Sequence, residues 1–538
     1  MIKKAQLQIL LLWAFLVFIG LSCRTYFPID ETRYATVAWN MWLNNDYLVP
    51  YLNGIAYSHK PPLLFWLINL GWKIFGVNDW WPRLVPSLFS LATVFVTHQI
   101  ALKLWPERLS IAQNAPLILL SSALWITYST ALMFDMLVAF FTALGALGLL
   151  IASQQRSYKG WFLFALALGG GLLAKGPTIF LQLLPLALMA PWWSKQRVLN
   201  AKNWFLPILY STLAGAAVGL AWAIPAGIRG GEVYQHAIFW GQTADRMVDS
   251  FAHKRPFWWY LSIMPALFFP WFLWGAFWKG LMNPNRAAEY GLRFGIAWVI
   301  PVLLGFSLIS GKQVHYVLPI FPAFALLLAR YAENSPMYTR LQTLPISLMI
   351  IVIGATLLGL PLFIHYLNHS ATWLAQIPVW LGGSLILIGI GIFFLPTNTK
   401  NISSTVKQLT FLSTLAVVAV MCGLMQAAGE AYDVRPISRQ VKMLETRNIP
   451  VAYLGRYPGI YNFVGRLNQS PEVVTHATLA DWFVKHPHGK VILFFHDIKE
   501  AKQHKTEFTQ PYKGMAIALM NRDQWQALQK TPKESASE

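Results

Sequence analysis

Asp30-Glu31-Thr32-Arg33-Tyr34 follows directly on the first hydrophobic stretch of the chain, and Tyr57-Ser58-His59-Lys60-Pro61-Pro62 comes soon after it. The two stretches bring a cluster of ionisable side chains next to a membrane-spanning segment. Charged side chains are costly near hydrocarbon, and where they recur beside spans they usually line a polar cavity or a substrate path. The two motifs therefore predict a polar site at one face of a membrane.

The rest of the chain has the composition of a polytopic membrane protein. Of its 538 residues, 56% are hydrophobic and only 12% are charged. Each long apolar run must be helical, because backbone N–H and C=O groups in lipid can be satisfied only within the segment. We expect an all-α membrane domain with about 13 transmembrane helices and with outer interfacial helices between the first two. The predicted spans are 7–26, 83–104, 111–131, 136–153, 160–174, 177–193, 205–226, 257–278, 292–309, 316–331, 343–366, 377–395 and 408–429.

The distribution of Lys and Arg predicts the orientation of the chain. Basic residues are concentrated in alternate loops, as the positive-inside rule requires of cytoplasmic loops. With a cytoplasmic N-terminus, all acidic residues of the membrane domain except Glu107, Glu289 and Glu333 fall on the opposite side, so the polar site faces outward. The net charge of +20 comes largely from these loops. Without a basic helix or an aromatic ribonucleoprotein motif, the charge does not indicate nucleic-acid binding.

The sequence also gives expectations for the N-terminal stretch, the two cysteines and the domain boundary. The first apolar stretch is expected to be an uncleaved anchor, and Cys23 and Cys422 are expected to be packing residues. Residues 1–432 form the predicted membrane domain, and residues 433–538 a small external α/β domain. Within that domain the pattern predicts helices at Ser438–Thr446 and Leu479–Lys485, and strands at Val451–Leu454 and Val491–Phe495.

The first motif has helical spacing. Asp30, Arg33 and Tyr34 stand at i, i+3 and i+4, so on a helix over residues 30–43 they share one face. The alternative is a helix N-cap with a local ion pair. Lys60 precedes a second helix opened by Pro61-Pro62, where it can meet a phosphate near a helix N-terminus. Snorkelling of Lys60 at the interface is the competing explanation.

Later outer loops supply further candidates. Asp135 is an isolated acid between two spans, either a site residue or a solvated turn residue, and the turn at Lys175 is explained by turn chemistry. The long loop that contains Arg246 is a candidate substrate-binding segment, or otherwise an aromatic belt with solvated charges. Lys312 adds a cation on the same side. His59 and His253 are candidate ligands of a divalent metal, although no tight ligand spacing supports this hypothesis.

The combination of motifs resembles a known family. In chain order the motifs are Asp30-Glu31-Thr32-Arg33-Tyr34, Asn53-Gly54, Tyr57-Ser58-His59-Lys60-Pro61-Pro62, Arg83-Leu84, Phe134-Asp135, Ala174-Lys175-Gly176-Pro177, Arg246, Arg255-Pro256-Phe257-Trp258 and Lys312-Gln313-Val314-His315-Tyr316-Val317-Leu318-Pro319. Over residues 1–430 they resemble the aminoarabinose transferases of lipid A, members of the wider dolichyl-phosphate-mannose protein mannosyltransferase group with the GT-C fold. Aminoarabinose transferases usually have Glu where this chain has His59.

The resemblance implies a role for each matching residue. Asp30 would be the catalytic or acceptor-orienting carboxylate, and Asp135 a second acid of the site. The residues expected at the donor phosphate are Arg33, Tyr34, Tyr57, Lys60, Arg246, Lys312 and Tyr316. The one cofactor hypothesis is a divalent metal held by His59 and His253.

The expected activity is transfer of a sugar, aminoarabinose being one candidate, from undecaprenyl phosphate to a periplasmic lipid or glycan acceptor such as lipid A, with inversion. The enzyme would span the bacterial inner membrane. One alternative is a protein or polysaccharide glycosyltransferase of the same fold. The other is a lipid-linked sugar flippase, for which midplane charges and repeated halves are expected but not seen.

Overall fold

The structure is a computed structural model that describes residues 2–155, 157–195, 200–241, 254–282, 289–333, 339–363, 372–395 and 402–530. Most of this part of the chain is helical. The helices up to residue 236 are α1 (Ile2–Cys23), α2 (Asp30–Asn44), α3 (Leu63–Phe75), α4 (Trp80–Leu104), α5 (Leu109–Leu120), α6 (Ala123–Ser129), α7 (Asp135–Gln155), α8 (Tyr158–Lys175), α9 (Thr178–Leu188), α10 (Ala190–Trp193), α11 (Leu206–Gly230) and α12 (Glu232–His236). The later helices of the apolar part are Trp259–Leu267, Gly275–Leu281, Tyr290–Leu308, Phe321–Glu333, Leu344–Phe363, Val379–Phe393 and Ile402–Tyr432.

The protein is a multi-pass membrane protein. In the described residues, seven helices are long and apolar enough to cross a membrane, or eight if the bent pair α5–α6 forms one span. Four shorter apolar helices accompany them. The all-α fold class is confirmed, whereas the count of about 13 spans stays a prediction.

Two spans that the sequence predicts as continuous are broken. The span at 111–131 is divided into α5 and α6 with a bend of 65°. The span at 257–278 stops at Leu267 and resumes at Gly275, on either side of Pro270, which cannot continue a helix. The two breaks meet, because the N–H of Ala123 donates to the carbonyl of Phe269 at 2.9 Å. This hydrogen bond pairs one backbone N–H at the first break with one backbone carbonyl at the second.

The loop between α1 and α2 is organised by the buried carboxylate of Glu31. Its two oxygens accept hydrogen bonds from the guanidinium of Arg24, at 2.8 and 3.1 Å. They also accept from the N–H of Phe27 at 2.7 Å and from the N–H of Leu132 at 2.6 Å. Glu31 thus joins the start of α2 to the segment that leads into α7.

The end of α1 is closed by a second buried arginine. Arg83 on α4 donates to the carbonyls of Gly20 and Arg24, the latter at 2.9 Å. Carbonyls at a helix C-terminus lack intrahelical partners, so this contact satisfies groups that would otherwise be buried unpaired. Cys23 and Cys422 are free cysteines that contact each other where α1 meets the helix Ile402–Tyr432.

The C-terminal part contains a five-stranded mixed sheet. Its strands are β3 (Val451–Leu454), β4 (Glu472–Val474), β5 (Lys490–Phe495), β6 (Phe508–Tyr512) and β7 (Met515–Met520), whereas β1 (Tyr51–Leu52) and β2 (Ile55–Ala56) form a separate hairpin. The strand order is β4-β3-β5-β7-β6, with β3 parallel to β4 and β5, and β7 antiparallel to β5 and β6. The helices around it are Arg435–Thr446, Asn462–Gly465, Leu479–Lys485, Ile498–Gln503 and Arg522–Lys530. The four elements predicted here from the sequence are confirmed.

This C-terminal part packs directly on α2. The hydroxyl of Thr36 donates to the carbonyl of Gly459 at 2.7 Å, and the indole N–H of Trp39 donates to the carbonyl of Leu467 at 2.8 Å. Phe463 stacks on Trp72 of α3 with ring centroids 5.1 Å apart. The division at residue 433 stays a prediction, and the apolar core runs across it, because Phe463 is packed within the core of the membrane domain.

We predict that Glu31→Ala lowers the free energy of unfolding by about 3–5 kcal/mol, because it leaves the Arg24 guanidinium buried without a counter-charge. Chemical unfolding in detergent measures the change. Glu430→Ala, which removes an exposed glutamate, is the matched control and should change stability by less than about 0.5 kcal/mol. Equal free energies of unfolding for the two variants would show that Glu31 does not stabilise the fold.

Candidate active site

A cavity of about 780 Å³ lies where α2, the segment after β2, α8, α9 and α11 come together. One part of it is polar and the other apolar. The polar part contains Asp30, Arg33, Tyr34, Tyr57, His59, Lys60, Asp135, Lys175, His315 and Tyr316. The sequence-predicted residues in this set, far apart in the chain, are therefore brought together.

The first helical turn of α2 contributes a carboxylate, a guanidinium and a phenol. Asp30 and Arg33 form an ion pair, in which the Asp30 side chain is 46% exposed and the Arg33 side chain 26%. The local ion pair considered as an alternative is thus present, but it faces the cavity. Burial raises the pKa of Tyr34 well above its ordinary value, and the Asp30 carboxylate adds to the rise. Tyr34 therefore keeps its proton and can donate a hydrogen bond.

A tight hairpin positions the second motif. Asn53 and Gly54 have positive φ angles of 53° and 78°, the conformation of a two-residue turn that favours Asn-Gly. The N–H of Tyr57 donates back to the carbonyl of Pro50 at 2.7 Å, which returns the chain to the cavity. The ammonium of Lys60 then lies 5.8 Å from the ring centroid of Phe134.

His59 stacks on Tyr57 with ring centroids 5.2 Å apart. The Phe134 ring also makes an edge contact with Tyr34, with centroids 5.0 Å apart. Aromatic contacts of this kind are rigid, so they fix both motifs around the cavity.

Asp135 stands at the start of α7 and is paired with a lysine from the end of α8. Lys175 Nζ lies 2.5 Å from Asp135 Oδ1, and both side chains are largely buried, at 13% and 4% exposure. His315 Nε2 lies 3.9 Å from the other carboxylate oxygen. Lys175 Nζ also lies 4.6 Å from the ring centroid of Tyr316. Asp135 is therefore a buried residue of the site, and the alternative of a solvated turn residue is excluded.

Lys175 and His315 are site residues that the sequence analysis did not select. Lys175 was explained by turn chemistry, and its role depends on a contact with a residue 40 positions away. The only local signal was a basic residue at the end of an apolar helix. His315 lay within a quoted motif, but nothing nearby in sequence indicates that it meets Asp135.

The apolar part of the cavity extends between four helices, α8, α9, α11 and Tyr290–Leu308. Its lining residues include Leu172, Phe180, Leu181, Ala216, Gly219, Leu220, Ala223 and Phe306. Among the described lining residues of the polar part, three cations face two carboxylates. The cavity therefore joins an apolar lining to a polar end in which cations outnumber carboxylates.

Lys312 is not brought to this cavity. Its ammonium donates to the carbonyl of Arg255 at 3.0 Å and to the carbonyl of Ile309, and desolvation lowers its pKa. The N–H of Arg255 donates to the carbonyl of Ser310 at 3.1 Å, so the lysine joins two backbone segments that already pair. A phosphate contact by Lys312 would require these bonds to be replaced.

Two other predicted residues, Arg246 and His253, lie outside the described residues. Within the described part of the chain, no group of three or more His, Cys, Asp or Glu side chains is placed to hold a metal ion. The metal hypothesis for His59 and His253 stays a prediction.

Comparison with known proteins agrees with this arrangement. The family model described as dolichyl-phosphate-mannose-protein mannosyltransferase matches residues 59–222. An undecaprenyl phosphate-alpha-4-amino-4-deoxy-L-arabinose arabinosyl transferase of Erwinia tasmaniensis is 31% identical over 330 residues, which cover 60% of this chain and 58% of that protein. The protein of the same name from Pectobacterium atrosepticum is 30% identical over 373 residues, 67% of this chain and 65% of that one. The chain thus matches less than two thirds of the length of these relatives.

The fold is shared with ArnT from Cupriavidus metallidurans, whose crystal structure was solved with bound undecaprenyl phosphate. The two structures superpose with a TM-score of 0.73 at 16% identity, covering 96% of this chain and 98% of ArnT. This likeness shows the GT-C fold. Within that fold, the chain is similar in sequence to the aminoarabinose transferases, so the resemblance found in the sequence is confirmed.

We predict that Asp135 and Lys175 are energetically coupled. Asp135→Asn and Lys175→Met should each destabilise the protein, because each leaves one buried charge without its partner. The double variant should lose less than the sum of the two, by about 0.5–3 kcal/mol. Unfolding in detergent measures the coupling. Combining Lys175→Met with Asp481→Asn, which changes an exposed aspartate, should give additive losses, and additivity in the Asp135 cycle would contradict the ion pair.

Proposed function

We propose that the protein is a glycosyltransferase that transfers a sugar from undecaprenyl phosphate to a glycolipid acceptor, with aminoarabinose as the leading candidate for the sugar. The observation that carries the proposal is the two-part cavity. Its apolar groove suits a polyprenyl chain, and its cationic end suits the phosphate that joins the chain to the sugar. The names of the relatives, which specify an undecaprenyl phosphate donor and arabinosyl transfer, support the same activity.

The cations of the polar end act on the leaving group. During transfer, the bond between the anomeric carbon and the phosphate oxygen breaks, and the phosphate leaves with the electron pair. Arg33 can bind phosphate oxygens bidentately, whereas Lys60 and Lys175 supply point charges. Cations held in place before the reaction stabilise charge that develops in the transition state.

The two carboxylates have different roles because their environments differ. Asp30 is partly exposed within the cavity, so it can accept a proton from an acceptor hydroxyl as the new glycosidic bond forms. Asp135 is buried against Lys175 and holds that lysine in the cavity wall. If the acceptor is a phosphate, which is already nucleophilic, Asp30 only positions it. Attack from the side opposite the leaving phosphate inverts the anomeric configuration.

The proposed location is the bacterial inner membrane, with the cavity and the C-terminal sheet on the periplasmic side. The alternation of basic loops supports this orientation. Two of the three acids assigned to the cytoplasmic side, Glu289 and Glu333, pair with Arg330 and Arg108. Acidic residues contribute little to orientation, so the excess of Lys and Arg in these loops still supports it.

We predict that Asp30→Asn lowers turnover about 100-fold with a hydroxyl acceptor, the scale of a positioned general base. The loss should be much smaller with a phosphate acceptor, which needs no deprotonation. Steady-state rates with the two acceptors, at matched protein stability, measure the difference. Unchanged turnover with the hydroxyl acceptor would show that Asp30 is not the general base.

We also predict that the purified protein uses a polyprenyl phosphate sugar and not a nucleotide sugar, because the cavity joins its cations to an apolar groove. Labelled donors of each class are incubated with the protein and a lipid A acceptor. Lys60→Ala should weaken donor use and Lys60→Arg should retain more of it, since the second variant keeps the charge. Transfer from the nucleotide sugar would overturn the proposed function.

A further inference from the structure

A second cleft of about 490 Å³ lies between the C-terminal half of α2, the β1–β2 hairpin and the C-terminal part of the chain. Its walls differ from those of the first cavity. The lining residues are Asn40, Leu43, Asn44, Tyr51, Asn53, Gly54, Asn468, Gln469 and Ser470. Five of these nine side chains are amides, one is a hydroxyl and one a phenol, and none is charged.

This set of groups suits a neutral molecule rich in hydroxyls. Each amide offers a carbonyl acceptor and two N–H donors, so one side chain can serve neighbouring hydroxyls that both donate and accept. The Tyr51 ring adds an apolar face beside them. A phosphate or a carboxylate would meet no cation among these lining residues, which distinguishes the cleft from the charged cavity.

The segments that line the cleft are held in place by hydrogen bonds within the protein, and the Asn40 amide donates to the carbonyl of Tyr51 at 3.2 Å. Asn53 donates to the carbonyl of Tyr457 at 2.8 Å and accepts from the hydroxyl of Ser470 at 3.3 Å. The backbone N–H groups of Asn468 and Gln469 both donate to Glu445, at 2.7 and 2.9 Å. The loop is therefore fixed through its backbone, while the exposed Gln469 amide remains available to a ligand.

The cleft and the cavity share the same two structural elements. Arg33, Asn40 and Asn44 stand at i, i+7 and i+11 on α2, so they follow one face of the helix, with Arg33 and Asn40 about 10 Å apart along the axis. The hairpin likewise carries Tyr51 into the cleft and leads on to Lys60 in the cavity. The cleft therefore lies about two helical turns from the cavity along α2, with the buried residues Thr36 and Val37 between them.

We propose that the cleft binds the neutral saccharide part of the glycolipid acceptor, while the cavity holds the donor and the reacting group. The assignment of this saccharide to the acceptor rests on the proposed function. The capacity of the cleft to bind a neutral oligosaccharide does not, so the two can be tested separately.

The first experiment measures binding without catalysis. The full chain in lipid nanodiscs is titrated with a neutral hexose oligosaccharide and followed by saturation-transfer NMR. Wild type should give ligand signals, and Asn44→Ala/Gln469→Ala should abolish them. Both substituted side chains are exposed, so the fold should be retained, and a thermal melt checks this. Gln503→Ala, an exposed amide on another helix, is the control and should bind as wild type does. An unchanged signal in the double variant would overturn the cleft as a saccharide site.

The second experiment connects the cleft to the acceptor. KM is compared for lipid A alone and for lipid A that carries its core oligosaccharide. The double variant should raise KM about tenfold for the extended acceptor only, the scale of two lost neutral hydrogen bonds. An equal rise for both acceptors, or none, would contradict the assignment. Absence of transfer by the wild type from any polyprenyl donor would instead reject the proposed function, while the binding result stands on its own.

Discussion

The buried carboxylate of Glu31 is the constraint on which the geometry of the site depends. A carboxylate removed from water must find compensating partners, and Glu31 finds four hydrogen bonds, from Arg24, Phe27 and Leu132. Its chain neighbour on one side is Asp30, and Leu132 stands three residues before Asp135. A single buried group therefore links the two chain segments that carry the carboxylates of the cavity. Because removing it would leave Arg24 uncompensated, the arrangement is held by an energetic penalty as well as by packing.

Around this fixed frame, the cavity separates its charges by exposure. Asp135 and Lys175 are largely buried and compensate each other, whereas Asp30 and Arg33 are in contact with the open part of the cavity. An exposed pair can exchange partners with a substrate at low cost, but a buried pair cannot. The apolar groove between α8, α9, α11 and the helix Tyr290–Leu308 begins beside these charges. This cavity differs from a general polar vestibule because a buried ion pair, a more exposed ion pair and an apolar groove lie next to one another.

The sequence was informative where function follows from local spacing. Asp30, Arg33 and Tyr34 share a helical face, and Tyr57 and Lys60 follow before the next span, so these residues could be predicted together. The Asn53-Gly54 turn that brings the second motif to the first is seen only in the structure. Lys175 and His315 could not, because their partner Asp135 is distant in the chain and a lone basic residue at a helix end is usually structural. Lys312, like Lys60, is a lysine in an outer loop, but its ammonium donates hydrogen bonds to backbone carbonyls. The breaks in two predicted spans depend on a mutual contact between Ala123 and Phe269, which periodicity does not reveal.

The packing of the C-terminal part on α2 has a consequence for how the protein is made. Thr36 and Trp39 find their backbone partners 423 and 428 residues later in the chain. At synthesis rates of roughly 5–20 residues per second, the C-terminal residues that pack on this helix are made roughly 20–80 s after it. During that interval its indole and hydroxyl groups are open to lipid, water or a chaperone. The helix that bears Asp30 is therefore among the first elements to be synthesised, but its contacts with the C-terminal part form only after residues 459–467 have been made.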